Sequence, residues 1–187
     1  MKLLRRLVAY VVDHPSFVTV ALAVAVITHF AVAKIWIPEL SPSSIFRSVT
    51  PGDLASSVAS LSIGVAGVAA MVGGFAGVVV VFGLSSNDER FRQVRIKAST
   101  SLRRNWMSII TTPLAAAFGA VGAATIASAT WTGAALWALE VCILLALHGA
   151  LRLVVLLYEL VRVVHASDEA LQEDQETLED TDDFLNA

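Results

Sequence analysis

Ionisable side chains interrupt a run that otherwise has the composition of lipid-facing protein. From Thr132 to Val164 the chain reads TGAALWALEVCILLALHGALRLVVLLYELVRVV, with Glu140, His148, Arg152 and Glu159 set among Leu, Val, Ala and Ile. A charge at the centre of a bilayer costs roughly 2.5–3.5 kcal/mol even on lenient insertion scales, so ionisable residues in such a run are functional candidates by default. A carboxylate and an imidazole are also the two side chains that exchange protons most readily once burial has moved them from their solution behaviour.

Helical spacing groups these residues. At about 100° per residue, and taking Glu140 as zero, Arg162 falls near 40°, His148 near 80°, Glu159 near 100° and Arg152 near 120°. One third of the helix circumference therefore holds all five, and that face must look at protein or water. Depth then sorts them. Counting from Thr132 at ~1.5 Å per residue, Glu140 lies ~12 Å in, His148 ~24 Å and Arg152 ~30 Å, within snorkelling reach of the far boundary. Glu159 and Arg162 lie beyond it. His29, nine residues before Pro38 in an earlier apolar run, lies ~13 Å from the same outer boundary and so shares a level with Glu140. Thr111 and Thr112 match the inner level of His148 and Arg152. Two readings follow. His29, Glu140, His148 and Arg152 form a polar lane that conducts or senses, or His29–Glu140 is a hydrogen-bonded clamp between helices and the others pack likewise. Two histidines and one carboxylate at different depths are poor metal-ligand spacing, so no metal and no cofactor is expected.

The elements that position these residues follow from composition. The 187 residues are 56% hydrophobic and 16% charged, against about 25% charge in a typical soluble domain, and the mean hydropathy is +0.72. Four membrane-length segments are expected, at about 16–37, 54–84, 107–131 and 133–157, with the last helix extending to about 165. Together, residues 15–166 form one all-α, four-span unit. Residues 1–14 place Leu3, Leu4, Leu7, Val8, Val11 and Val12 opposite Lys2, Arg5 and Arg6, the pattern of an amphipathic helix in the membrane interface. A signal peptide is the competing reading of residues 1–33, with Ala31-Val32-Ala33 as the cleavage site. Against it, Asp13-His14-Pro15 breaks the junction and the apolar run continues through Ile37. Thr50-Pro51-Gly52-Asp53 is a helix start, and Thr132-Gly133 reads as a tight turn. Trp131 and Trp137 suit an aromatic belt. Gly64, Ala70, Gly73, Gly74 and Gly77 in the second segment, with Gly119 and Gly122 in the third, allow close helix packing within one subunit or between copies.

The formal charge of −3 hides segregation. Arg90, Arg92, Arg95, Lys97, Arg103 and Arg104 crowd residues 85–106, where Phe91, Val94, Ala98, Leu102 and Trp106 make the apolar stripe of a membrane-surface helix. Nine carboxylates and no Lys or Arg occupy 167–187, an acidic tail expected to be disordered or docked electrostatically. The cations place both termini and the 85–106 loop in the cytoplasm, in a cell membrane of bacterial inner-membrane type. The expected partners are the bilayer, anionic lipid at the basic loop, other copies of the chain and a cytoplasmic protein, with no nucleic acid. The single Cys142 excludes an internal disulfide, and the chain lacks a phosphate loop, a G-x-S-x-G elbow and an H-E-x-x-H pair. The expected function is a small, non-enzymatic, homo-oligomeric membrane protein that lets ions or protons move or alters permeability. The alternative is a membrane-anchored interaction or regulatory protein that recruits a cytoplasmic partner through the basic loop and the acidic tail.

Overall fold

The computed structural model describes residues 15–85 and 99–185, with side chains over 17–82 and 106–165 except 163. The proposed interfacial helix at 1–14 therefore lies outside the described residues, as do Arg90, Arg92, Arg95 and Lys97. Arg103 and Arg104 lie on a described helix but outside the described side chains. All regular structure among the described residues is helical. Helix α1 is Pro15–Ile35, α2 is Leu54–Ser85, α3 is Ser99–Ser128 and α4 is Thr132–Leu185, with two 3₁₀ turns, Pro38–Leu40 and Pro42–Phe46, between α1 and α2. Each long helix contains a segment long and apolar enough to cross a membrane: Phe17–Ile35, Leu54–Phe82, Trp106–Ser128 and Thr132–Arg162.

Helices α2, α3 and α4 make the core, and small side chains build it. Ala66, Ala120 and Ala123 pack with Leu139 and Cys142 in one layer, and Ala69, Ala116 and Ala117 form the next. Val58, Ala127, Ala135 and Leu136 close the end near the α3–α4 turn, while Ala76, Ile109 and Leu153 close the other. Alanine brings helix axes close enough for van der Waals contact along their length, the term that drives helix association once hydrophobic burial no longer distinguishes partner from surroundings. The outward faces carry large apolar groups instead, among them Phe75, Phe82, Phe118 and Leu147, each more than half exposed. Helix α1 stands at the edge and packs chiefly on α4.

Three local features differ from the sequence expectation. The α3–α4 turn falls at Ala129–Trp131, and Thr132-Gly133 opens α4 instead. Thr130 takes the left-handed conformation, φ 72°, and Trp131 N–H donates to Ile126 O at 3.3 Å, which closes α3 as a Schellman turn usually closes a helix with glycine. Second, the end of the basic block, from Ser99, is the opening of α3 itself, so helix and span are continuous. Third, α4 does not stop near residue 165 but runs on through the acidic segment to Leu185. That segment is rich in Ala, Leu, Gln and Glu, all good helix formers, and has no Gly or Pro to stop it.

The glycines divide into two groups. A Cβ at Gly73 would meet Leu114 Cγ at 3.0 Å, and one at Gly119 would meet Cys142 Sγ at 2.8 Å. Gly64, Gly74, Gly77 and Gly122 have open space around them, and Ala70 is exposed. Gly149 faces a rigid neighbour instead of a flexible one: its Cβ would lie 2.9 Å from Pro113 Cδ and 3.2 Å from Cβ and Cγ of the same ring. Gly149→Val is expected to destabilise the bundle by about 1–3 kcal/mol through overpacking, whereas Gly74→Val leaves stability unchanged. Denaturant unfolding in detergent micelles checks this, and equal stability of the two variants would refute the placement of Gly149 against Pro113.

Candidate functional site

The site is built on the first turns of α4, near the α3–α4 turn. Eight residues into that helix, Glu140 projects toward α1, where His29 sits on the face turned to α4. His29 Nδ1 lies 2.6 Å from Glu140 Oε1. The level match inferred from residue counting is thus a direct contact. His29 is engaged on its other side too, for Nε2 lies 2.9 Å from the carbonyl oxygen of Leu40 in the first 3₁₀ turn. A carbonyl only accepts, so Nε2 carries a hydrogen and donates it. The imidazole therefore ties three elements together: α1, the Pro38–Leu40 turn and α4.

Trp137 braces the pair. It stands three residues before Glu140, on the same face of α4. Its indole meets the His29 ring edge-on at a centroid distance of 5.2 Å and 69°, and meets Phe30 at 5.0 Å and 78°. Offset and edge-to-face arrangements of this kind contribute about 0.5–1.5 kcal/mol beyond burial. The aromatic-belt role expected for Trp137 is thus replaced by a contact with the site, while Trp131 is exposed. Beside the pair lies a cavity of about 390 Å³, walled by Phe46, Leu61, Leu139 and Ile143 and touched by His29 and Glu140.

The remaining polar residues descend along α4. His148 is half-buried, and its Nε2 is shut away from solvent without a hydrogen-bond partner among the described residues. Glu140 Oε2 is in the same condition. Buried polar atoms are paired in more than nine cases in ten, so each such atom calls for an explanation. Further along, the Arg152 guanidinium donates to Ser108 Oγ on α3. Arg152 is thus held by a neighbouring helix, which the snorkelling expectation did not foresee. Of the two threonines at this level, Thr111 is exposed and Thr112 half-buried. Glu159 and Arg162 pair with each other at 3.5 Å on the exposed surface and stand apart from the site. No group of three or more His, Cys, Asp or Glu able to hold a metal occurs among the described residues.

Two parts of the site were not found from sequence. The Leu40 carbonyl is a backbone group, and composition says nothing about where a backbone oxygen points. Trp137 had a usable signal, its three-residue offset from Glu140. The Ala31-Val32-Ala33 stretch forms the last turns of α1 with Ala33 buried. Loss of residues 1–33 would remove His29 and strip Glu140 of its partner.

A double-mutant cycle on His29→Ala and Glu140→Ala should give a coupling of about 1 kcal/mol, the scale of interhelical hydrogen bonds between apolar helices. Unfolding in micelles measures it, and strict additivity would mean that the contact contributes nothing. Comparison of the chain with protein-family models, curated sequences and solved structures finds no match, so any functional reading rests on this geometry alone.

Proposed function

We propose that the chain is a small, non-enzymatic, multi-pass membrane protein that lets ions or protons move across the bilayer along the polar face of α4, working as a homo-oligomer. One observation carries this reading: Glu140 Oε2 and His148 Nε2 are buried, without partners among the described residues, and follow one another down a helix otherwise made of Leu, Val and Ala. Groups kept in lipid at such expense are rarely idle.

The supporting physics is consistent. The outward apolar faces suit lipid rather than water. The α2–α3–α4 core is closed by alanine and glycine contacts, which leave little room for a central pore. A route would therefore run along α4 on the side of His29, Glu140 and His148, with a second copy completing its wall. The small-residue surface of α2 around Gly64 and Gly74 is open to such a neighbour. The cavity beside His29 gives the pair access from the α1–α2 connection. Proteoliposomes of the wild type are expected to dissipate an imposed ion or proton gradient faster than empty liposomes. Glu140→Gln and His148→Ala are expected to slow that flux by about tenfold or more. Wild-type flux equal to that of empty liposomes, at a density where oligomers are verified, would end this reading.

A second reading has its own support. Beyond Arg162 helix α4 continues to Leu185, about 35 Å of helix at 1.5 Å per residue, and this extension carries all nine carboxylates of 167–187. A helix of that length and charge suits recruitment of a basic cytoplasmic partner. Affinity purification from native membranes of the full chain and of a variant lacking 167–187 tests it. The expected result is a co-purifying partner lost with the deletion, and identical interactors for both forms would refute the recruiting role.

A further inference from the structure

The site constrains which species would move, a conclusion that rests on the transport reading above. We propose that the carried species is the proton, handed between His29 and Glu140, and not a metal cation. The stereochemistry of the imidazole is the basis. Leu40 O can only accept, so Nε2 keeps its hydrogen in every state in which that bond is present. One exchangeable proton is then left in the 2.6 Å contact between Nδ1 and Oε1. It rests on Nδ1, giving imidazolium and carboxylate, or on Oε1, giving imidazole and carboxylic acid. Both arrangements have the same net charge of zero, so the proton moves between two helices without changing the charge buried there.

Nδ1–H gives its proton to Oε1, leaving neutral imidazole and neutral carboxylic acid. Rotation of the carboxyl about its terminal torsion, which is broad and two-fold, exchanges the two oxygens and presents the O–H where Oε2 lay. Onward transfer to His148 Nε2, which holds a lone pair in the matching tautomer, requires water to enter between two atoms that are closed to solvent in this structure, and His148 then gives up its other ring proton and returns to neutral imidazole. Glu140 returns to carboxylate. His29, still donating Nε2–H to Leu40, takes the next proton at Nδ1 from water in the cavity its ring lines. Glu39, in the wall of the same cavity, is the other carboxylate at the uptake side.

A metal cation finds no comparable accommodation. No group of three or more His, Cys, Asp or Glu suited to a metal lies among the described residues. Eight residues, or about 12 Å of helix, separate Glu140 from His148, and Ile143, Leu144 and Leu147 occupy the same stretch of α4. A hydrated metal ion would have to shed water against these side chains with nothing to replace it, whereas a proton needs only the transient entry of hydrogen-bonded water between the two atoms.

Selectivity separates the two levels of the argument. Vesicles holding a pH indicator, a sodium indicator or a potassium indicator are compared for the wild type, His29→Gln, Glu140→Gln and Glu140→Asp. His29→Gln keeps an amide donor toward Glu140 but has no exchangeable ring proton, and so preserves a clamp while removing the relay. The expected result is proton flux in the wild type with neither sodium nor potassium flux. Proton flux should fall by about tenfold or more in His29→Gln and Glu140→Gln and be retained in measurable part by Glu140→Asp. All forms should elute alike on size exclusion. Sodium or potassium flux matching that of protons, or unchanged proton flux in His29→Gln, would overturn the proton assignment and leave transport standing. If Glu140→Gln fails to fold, the wild-type selectivity and Glu140→Asp still decide. Absence of all flux would remove the transport reading and this one together.

Discussion

A carboxylate on an apolar helix has to find a partner, and much of the end of this fold near the α3–α4 turn is arranged around that requirement. Glu140 stands among Leu, Val and Ala on α4, and α1 is the element that answers it. Helix α1 has little else to hold it. Its outward residues, including Phe17, Val20, Val24 and Ile27, are more than half exposed, and only Val26 and Ala33 among its described side chains are buried. The position of α1 therefore depends on His29, with Trp137 packed beside it. Because the other ring nitrogen binds Leu40, the same residue fixes the start of the α1–α2 connection. One imidazole sets the relative placement of a helix, a turn and the long α4.

The opposite end of the bundle is held by a different principle. At Pro113, α3 lacks a backbone N–H, and the carbonyl of Ile109 loses its ordinary helical donor. At this point α4 presents Gly149, which lets its backbone approach the proline ring. The neighbouring Arg152 reaches Ser108 one turn from Pro113. Close backbone contact and a charge-assisted hydrogen bond thus stand at one level, in antiparallel register with the Gly119–Cys142 contact further out. The level of His29 is tied by a long-range side-chain pair, and the level of Pro113 by steric fit together with the Arg152–Ser108 hydrogen bond.

How much of this was legible depends on what each feature is made of. Four apolar helices and their approximate bounds follow from residue counts, and the His29–Glu140 contact followed from measuring each residue back to a chain break of known level. Side-chain chemistry on a regular helix is readable because 3.6 residues per turn convert number into angle and depth. Features that depend on another chain segment's backbone were not readable. The Leu40 acceptor is one. The Gly149–Pro113 contact is another, since neither residue signals the other without the packing of α3 on α4. The α3–α4 turn was placed two or three residues late because Thr132-Gly133 is a good turn dipeptide, while the actual left-handed residue is Thr130, a β-branched type rarely suited to it. The continuation of α4 was missed for a related reason. Nine carboxylates suggest disorder by composition and oppose the helix dipole at its C-terminal end, yet the intervening Leu, Ala and Gln retain helical preference, and an already formed helix needs no new nucleation to extend.

The clamp and the pathway make different demands on the same residues. A structural clamp gains by satisfying every donor and acceptor it buries, because a half-satisfied buried network is worse than an apolar contact. His29 meets that standard, with both ring nitrogens engaged. Glu140 does not, since Oε2 is buried without a partner among the described residues, and neither does His148 at Nε2. If holding α1 were the whole purpose, a hydroxyl or amide at position 140 would bind His29 with one fewer buried acceptor, and leucine at 148 would fill its place without an orphaned nitrogen. Trp106 Nε1 on α3 is a third buried atom without a partner among the described residues, and as an indole N–H it only donates; Glu140 and His148 are the two that can take up and release a proton, and both stand on α4. The relay proposed for this pair would give the unsatisfied oxygen beside a satisfied histidine a use that a clamp alone does not.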